Sequence, residues 1–231
     1  MAEFDYIERN YLELLAHIKD ISKRVGVPEP KLVCVTKSAT DEELRALVEA
    51  GARAIGENRP GELRRRGELL RSFGLTPELH QIGTLQSNKA KLVSPIAALI
   101  HSLDGESLLR ELSKRGIAEG REIPVLIEIN SAEEPQKGGI IPSHAEEFLN
   151  KVLQTPAVKP VGLMTMGPAD CAEDELRGYF RLTKKLFDEL NMRYGFGDNP
   201  TLSMGMSDSY EIAIEEGSTL VRVGRKLFIK N

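Results

Sequence analysis

The stretch LVCVTKSATDEELRALVEAGARAIGEN, residues 32–58, contains one strand–helix–strand unit, and its reading decides the fold. It opens on Leu32-Val33-Cys34-Val35-Thr36, a run too short for a helix and rich in β-branched residues. Thr40 and Glu43 have capping-box spacing, and Leu44 and Leu47 fall on one helical face behind them. A second run, Ala52 to Ile55, leads into Gly56-Glu57-Asn58. Two strands joined through a helix run parallel, because a hairpin cannot be made across such a crossover.

The same unit continues outward. Further apolar runs are Leu79 to Ile82, Ala97 to Leu103, Pro124 to Ile129, Val161 to Met166, Thr201 to Met204 and Leu220 to Val223, which makes eight candidate strands. Helical stretches lie around Leu63–Leu70, Leu108–Leu112, Phe148–Leu153, Phe180–Leu190 and Ile212–Ile214, with a short one after the third strand. Ser143 with Glu146 has a second capping-box spacing. Ahead of it all, Phe4, Ile7, Tyr11, Leu14, Leu15, Ile18 and Ile21 mark an extra N-terminal amphipathic helix. Eight strand–helix units in this length predict an α/β fold, a single (β/α)8 barrel spanning residues 1–231. A doubly wound open sheet is the alternative. No glycine-rich dinucleotide fingerprint follows the first strand and no linker divides the chain, which favours the barrel.

Composition excludes several classes. Of 231 residues, 31 are Lys or Arg and 35 Asp or Glu, a net charge of -4, which argues against wrapping a polyanion. No apolar run reaches membrane length. Cys34 and Cys171 have neither disulfide-framework nor zinc spacing, and the first residues are acidic where a signal peptide is basic. The expectation is a cytoplasmic protein with neither nucleic acid nor membrane as partner.

In a barrel, chemistry gathers at the C-terminal strand ends. There the sequence carries Val35-Thr36-Lys37, Gly56-Glu57-Asn58, His80-Gln81-Ile82-Gly83, Ser203-Met204-Gly205-Met206-Ser207 and Arg222-Val223-Gly224-Arg225. Alternation puts Val33, Val35 and Lys37 on one face, so Lys37 is expected at the barrel mouth, poorly solvated and nucleophilic. The bland reading is a strand-end lysine that reaches water. Ser203 to Ser207 runs into a helix expected near Asp208, and with Gly224 it offers backbone amides to an anion; Asp208 suits an N-cap position. Arg222 shares a face with Gly224 and points either into the barrel or outward to a surface acid; the pattern leaves both open. His80 either reaches the site, supports a residue that does, or fills the core.

In combination these motifs, with Leu85-Gln86-Ser87-Asn88-Lys89 and Gly162-Leu163-Met164, resemble the YggS/PROSC family of pyridoxal 5'-phosphate homeostasis proteins from the first helix to about Phe228. The resemblance implies a barrel like the N-terminal domain of alanine racemase, with pyridoxal 5'-phosphate (PLP) held as a Schiff base on Lys37. It nominates Lys37, Asn58, His80, Ser203, Met204, Gly205, Ser207, Arg222, Gly224 and Arg225 as cofactor-binding. The chain departs from the family pattern at Thr36 for serine, Thr84 for proline and Arg225 for threonine, and it lacks the glycine after Phe228.

The resemblance implies a carrier serving intracellular PLP homeostasis, with apo-PLP enzymes as recipients, and no enzyme. A PLP-dependent racemase or decarboxylase is the alternative, and a Schiff-base aldolase a third. If Arg222 faces the pyridine nitrogen, that nitrogen stays unprotonated and the electron sink is weak. No second base is evident, and the chain ends about eight residues after the last strand, short of a second domain. Either a monomer or a homodimer is compatible with the sequence.

Overall fold

We describe a computed structural model of the chain over residues 4–168 and 170–230. Strands β1 (Lys31–Val35), β2 (Ala54–Glu57), β3 (Glu78–Gln81), β4 (Leu99–Leu103), β5 (Ile123–Ile129), β6 (Val158–Thr165), β7 (Thr201–Ser203) and β8 (Leu220–Val223) close into a parallel barrel in chain order. Closure is made by β8 beside β1, from Lys31 opposite Leu220 to Cys34 opposite Val223. The crossover helices are α2 (Asp41–Glu49), α3 (Pro60–Ser72), α4 (Ala90–Val93), α5 (Glu106–Glu119), α6 (Ala145–Leu153), α7 (Glu173–Tyr194) and α8 (Tyr210–Glu215), with α1 (Asp5–Val25) ahead of them. Among the described residues no helix is long and apolar enough to cross a membrane.

Strands covered on both faces need apolar residues on both, and the core accordingly divides in two. The outer shell sets Ile55, Ile100, Val125, Ile127, Leu163 and Leu202 against Leu63, Leu112, Leu149 and Phe180 of the helices. Inside, Val33, Ala54, Ile82, Leu99, Leu126, Met164 and Leu220 form a small apolar cluster. α1 fills the gap in the helical ring: Ile7, Leu14, Ile18 and Ile21 share a cluster with Leu47, Tyr210, Ile214, Val221 and Val223. The Asn10 amide donates to the carbonyls of Leu227 (3.2 Å) and Ile229 (2.9 Å), fastening α1 to the end of the barrel.

The Thr40–Glu43 capping box is formed in both directions. The Ser143–Glu146 box is not. Residues Pro142–His144 make a 3₁₀ turn, α6 starts at Ala145, and Glu146 instead accepts from Tyr194 Oη and Arg193 Nη1, both at 2.8 Å. β2 starts two residues later than its apolar run suggests, because the Ala52 amide donates back to Leu47 O and finishes the turn after α2. β6 starts earlier, at Val158: Pro160 masks a strand whose pairing with β5 shifts register beside it.

A candidate ligand site at the barrel mouth

β1 ends at Val35, so the alternation that would carry Lys37 inward stops before it. Lys37 lies in a turn and is exposed, contrary to the poorly solvated position expected. The turn itself is held tightly. Arg66, on the buried face of α3, donates Nη1 to Thr36 O (2.5 Å) and Nη2 to Ala39 O (2.8 Å), straddling Lys37 and Ser38. Thr36 Oγ1 donates to Glu57 Oε1 (2.5 Å), and Arg66 Nη1 lies 3.0 Å from the same oxygen. Burial pushes the Glu57 carboxyl upward, while Thr36 and Arg66 pull it down. A guanidinium fork matched to two carbonyls and a carboxylate fixes geometry as well as charge.

Arg222 points inward. Its Nη1 donates to Ser203 Oγ and its Nη2 to Thr165 O (3.1 Å), and it is 3% exposed. Burial draws its guanidinium down to about 10, the Glu128 carboxyl acting against this. Behind Ser203 stands His101, its Nδ1 at 3.1 Å from Ser203 Oγ and its Nε2 at 2.9 Å from His80 Nδ1. His80 Nε2 meets Glu78 Oε2 at 3.1 Å, and Glu78 is paired with Lys31. His80 is thus a core residue, three hydrogen-bonded links removed from Arg222. Glu128, 5% exposed, has its carboxyl pushed up to about 7 by burial and by Asp104.

At the ends of β7 and β8, Ser207 Oγ accepts the amides of Gly224 and Arg225, each at 3.2 Å. Gly205 has φ +88, and a Cβ there would stand 2.5 Å from Ala213 Cβ. A Cβ on Gly224 would stand 2.7 Å from Val35 O, so this glycine lets the ends of β8 and β1 meet. Met204 turns into the outer core, and its amide donates to Leu220 O (3.1 Å), leaving neither for a ligand. Arg225 is exposed and ion-paired with Asp208, and α8 begins only at Tyr210, so Asp208 is no N-cap. Asn58 is exposed beyond β2, its carbonyl accepting Gln81 Nε2 at 3.0 Å.

The nominated residues therefore separate. Lys37 closes the end of β1; Gly205, Ser207 and Gly224 gather beyond β7 and β8, with Ser203 and Arg222 beneath them. Sequence reasoning missed His101, Glu128, Thr165 and the Arg66–Glu57 clamp. Arg66 had a visible signal, since it shares the buried face of α3 with Leu63, Gly67 and Leu70.

Residues 10–231 match the family model described as alanine racemase, N-terminal domain. A pyridoxal phosphate homeostasis protein of Aquifex aeolicus is 40% identical over 217 residues, covering 93% of this chain and 94% of the relative. One from Escherichia coli is 35% identical, covering 96% of this chain and 95% of its own. The structure of PipY from Synechococcus elongatus with PLP bound superposes with a TM-score of 0.82 at 27% identity, over 96% of this chain and 100% of that one. A closed eight-stranded barrel with this identity over nearly all its length is a member of the pyridoxal phosphate homeostasis protein family, built on the fold of the alanine racemase N-terminal domain.

Proposed function

We propose that this chain binds PLP at the C-terminal mouth of its barrel and serves as an intracellular carrier that hands it to apo-PLP enzymes without turning over amino acids. The observation that carries the reading is the buried, donor-only Arg222, fixed by Ser203 and Thr165 beneath the amides of Gly224 and Arg225. The names of the relatives and the PLP bound to PipY support it. When bound, the cofactor supplies an aldehyde that a lysine amine holds as a Schiff base. Lys37 supplies that amine, and the Arg66 fork keeps its turn in one position. Ser207, Gly205 and Gly224 face the phosphate, while Arg225 stays with Asp208. Arg222 donates toward the ring nitrogen, and a donor there keeps that nitrogen unprotonated, which weakens the electron sink.

The test is an absorption spectrum of purified protein before and after borohydride, followed by peptide mapping. Fixation on Lys37, lost in Lys37→Ala, is expected; label on another lysine would overturn the assignment. Glu128 favours a second reading, a PLP-dependent amino-acid enzyme, because a buried carboxyl near neutrality suits proton transfer. Multiple turnovers of Cα deuterium exchange on any amino acid, lost in Glu128→Gln, would replace the carrier with an enzyme.

A further inference from the structure

One line of side chains crosses the interior from mouth to base: Arg222, Ser203, His101, His80 and Glu78, with Lys31 beyond. Its two ends fix its polarity. Arg222 only donates, so Ser203 Oγ accepts from it. The Glu78 carboxyl is held down at about 2, chiefly by His80 and also by Lys31, and therefore only accepts. His80 must then carry its proton on Nε2, leaving Nδ1 to accept from His101 Nε2. His101 Nδ1 is left to accept from the Ser203 hydroxyl. With both imidazoles neutral, one arrangement satisfies every link, and burial favours that neutral state for both rings.

A further proton spoils this arrangement. Protonation at His80 Nδ1 sets two N–H groups against each other unless His101 turns its own tautomer round. That change puts an N–H of His101 against Ser203, whose hydroxyl then loses its acceptor. Either way a second cation enters the interior near Arg222. The charged and titratable groups facing the pair are Lys31 from β1, Glu78 from β3 and Arg222 from β8, and Glu128 from β5 faces Arg222. Glu78 favours the extra proton; Lys31 and Arg222 oppose it. Because Glu78 is exposed, the line is open to solvent at the end opposite the mouth.

We propose that His101 and His80 are positioning residues that aim Arg222 through Ser203, so that a proton entering at the base of the barrel loosens the hold on a ligand ring at its mouth. This rests on the reading that Arg222 faces that ring. Both imidazoles are buried, and their ring nitrogens are taken up by each other, by Glu78 and by Ser203. The consequence is a coupling between the two ends of the barrel, carried by hydrogen-bond polarity and charge.

The probe is pyridoxine 5'-phosphate, which keeps ring and phosphate but has no aldehyde, so imine chemistry does not enter. Its dissociation constant is measured from about pH 4 to about pH 8, a range carried below the one in which free histidines change charge because burial lowers both imidazoles. Wild type is expected to weaken toward acid. In Glu78→Gln that weakening moves to lower pH, because the carboxylate no longer favours the imidazolium. The affinity ratio between the two ends of the range then falls about fivefold or more. His101→Gln, which can bridge Ser203 and His80 without titrating at its own position, flattens the profile. A profile identical in wild type and Glu78→Gln overturns the proposal. Nitrogen NMR of the wild-type imidazoles without ligand tests the polarity independently: Nε2–H on both rings at about pH 8 supports it, and Nδ1–H on His101 overturns it. If wild type binds no ring phosphate at any pH, the PLP reading fails, while the imidazole spectrum still decides the line.

Discussion

The two sides of one sheet are built on different terms. The face under the helices is close to pure hydrocarbon, with Ile55, Ile100, Val125, Ile127, Leu163 and Leu202 all shut from water. The enclosed face sets polar groups among its apolar ones, with His80, His101, Ser203, Arg222 and Glu128 buried in it. The outer face owes its stability to area removed from water, which is additive and insensitive to direction. The inner face is held by hydrogen bonds, each needing its partner at one place, and loses most when a single partner is removed. A barrel can carry this interior because the shell around it supplies the stability.

Arg66 and Glu57 set a buried ion pair into the shell, and breaking it should have the largest effect. Arg66→Met leaves the Glu57 carboxyl buried without its cation, at a cost of about 3–5 kcal/mol. Urea melts read this directly, and a loss below about 1 kcal/mol would mean that the clamp contributes little. Leu163→Ala empties a fully buried site in the shell and should cost about 2–5 kcal/mol while leaving the PLP dissociation constant of the folded protein alone. A change in affinity as large as the change in stability would erase the contrast between the two faces.

Glu128 sharpens the contrast from inside. Its carboxyl, raised to about 7, keeps a proton that the unfolded chain releases near its ordinary value. Native stability therefore falls as pH rises between those two values, and the penalty is complete above the folded one. Glu128→Gln removes a penalty on the order of 2 kcal/mol, so it should melt higher than wild type at about pH 8 and equally near pH 4.5. An equal gain at both would locate the effect in shape instead of charge. Arg225→Ala should do least: its ion pair with Asp208 is exposed on both sides and contributes about 0.5 kcal/mol or less. PLP affinity should follow Ser207→Ala far more than Arg225→Ala, and the reverse order would put the Arg225 guanidinium on the phosphate.

What the sequence discloses follows the same division. The eight strands and the N-terminal helix were legible because burial of the outer shell repeats with local period, and local period is visible in one dimension. The glycine and serine ends of β7 and β8 were legible as a cluster for a related reason, since strand ends recur at known places. His101 was not: inside the run Leu99–Leu103 it reads as one more core residue until closure sets it between His80 and Ser203. Lys37 was read as the inward-facing end of the first strand and lies instead in the exposed turn after it, because one residue of strand length decides whether alternation still applies. Glu128 did leave a trace, a lone acid between Ile127 and Ile129, but its relation to Arg222 depends on barrel closure.

The clasp between Asn10 and the carbonyls of Leu227 and Ile229 joins residues more than two hundred positions apart in sequence. On a ribosome, α1 emerges ahead of all eight strands, yet the surface its isoleucines cover includes Val221 and Val223 of β8. For most of synthesis that apolar stripe has only part of its final resting place. The chain must therefore keep an early helix from sticking elsewhere until its last strand arrives, which makes vectorial folding the step at which this barrel is most exposed to aggregation.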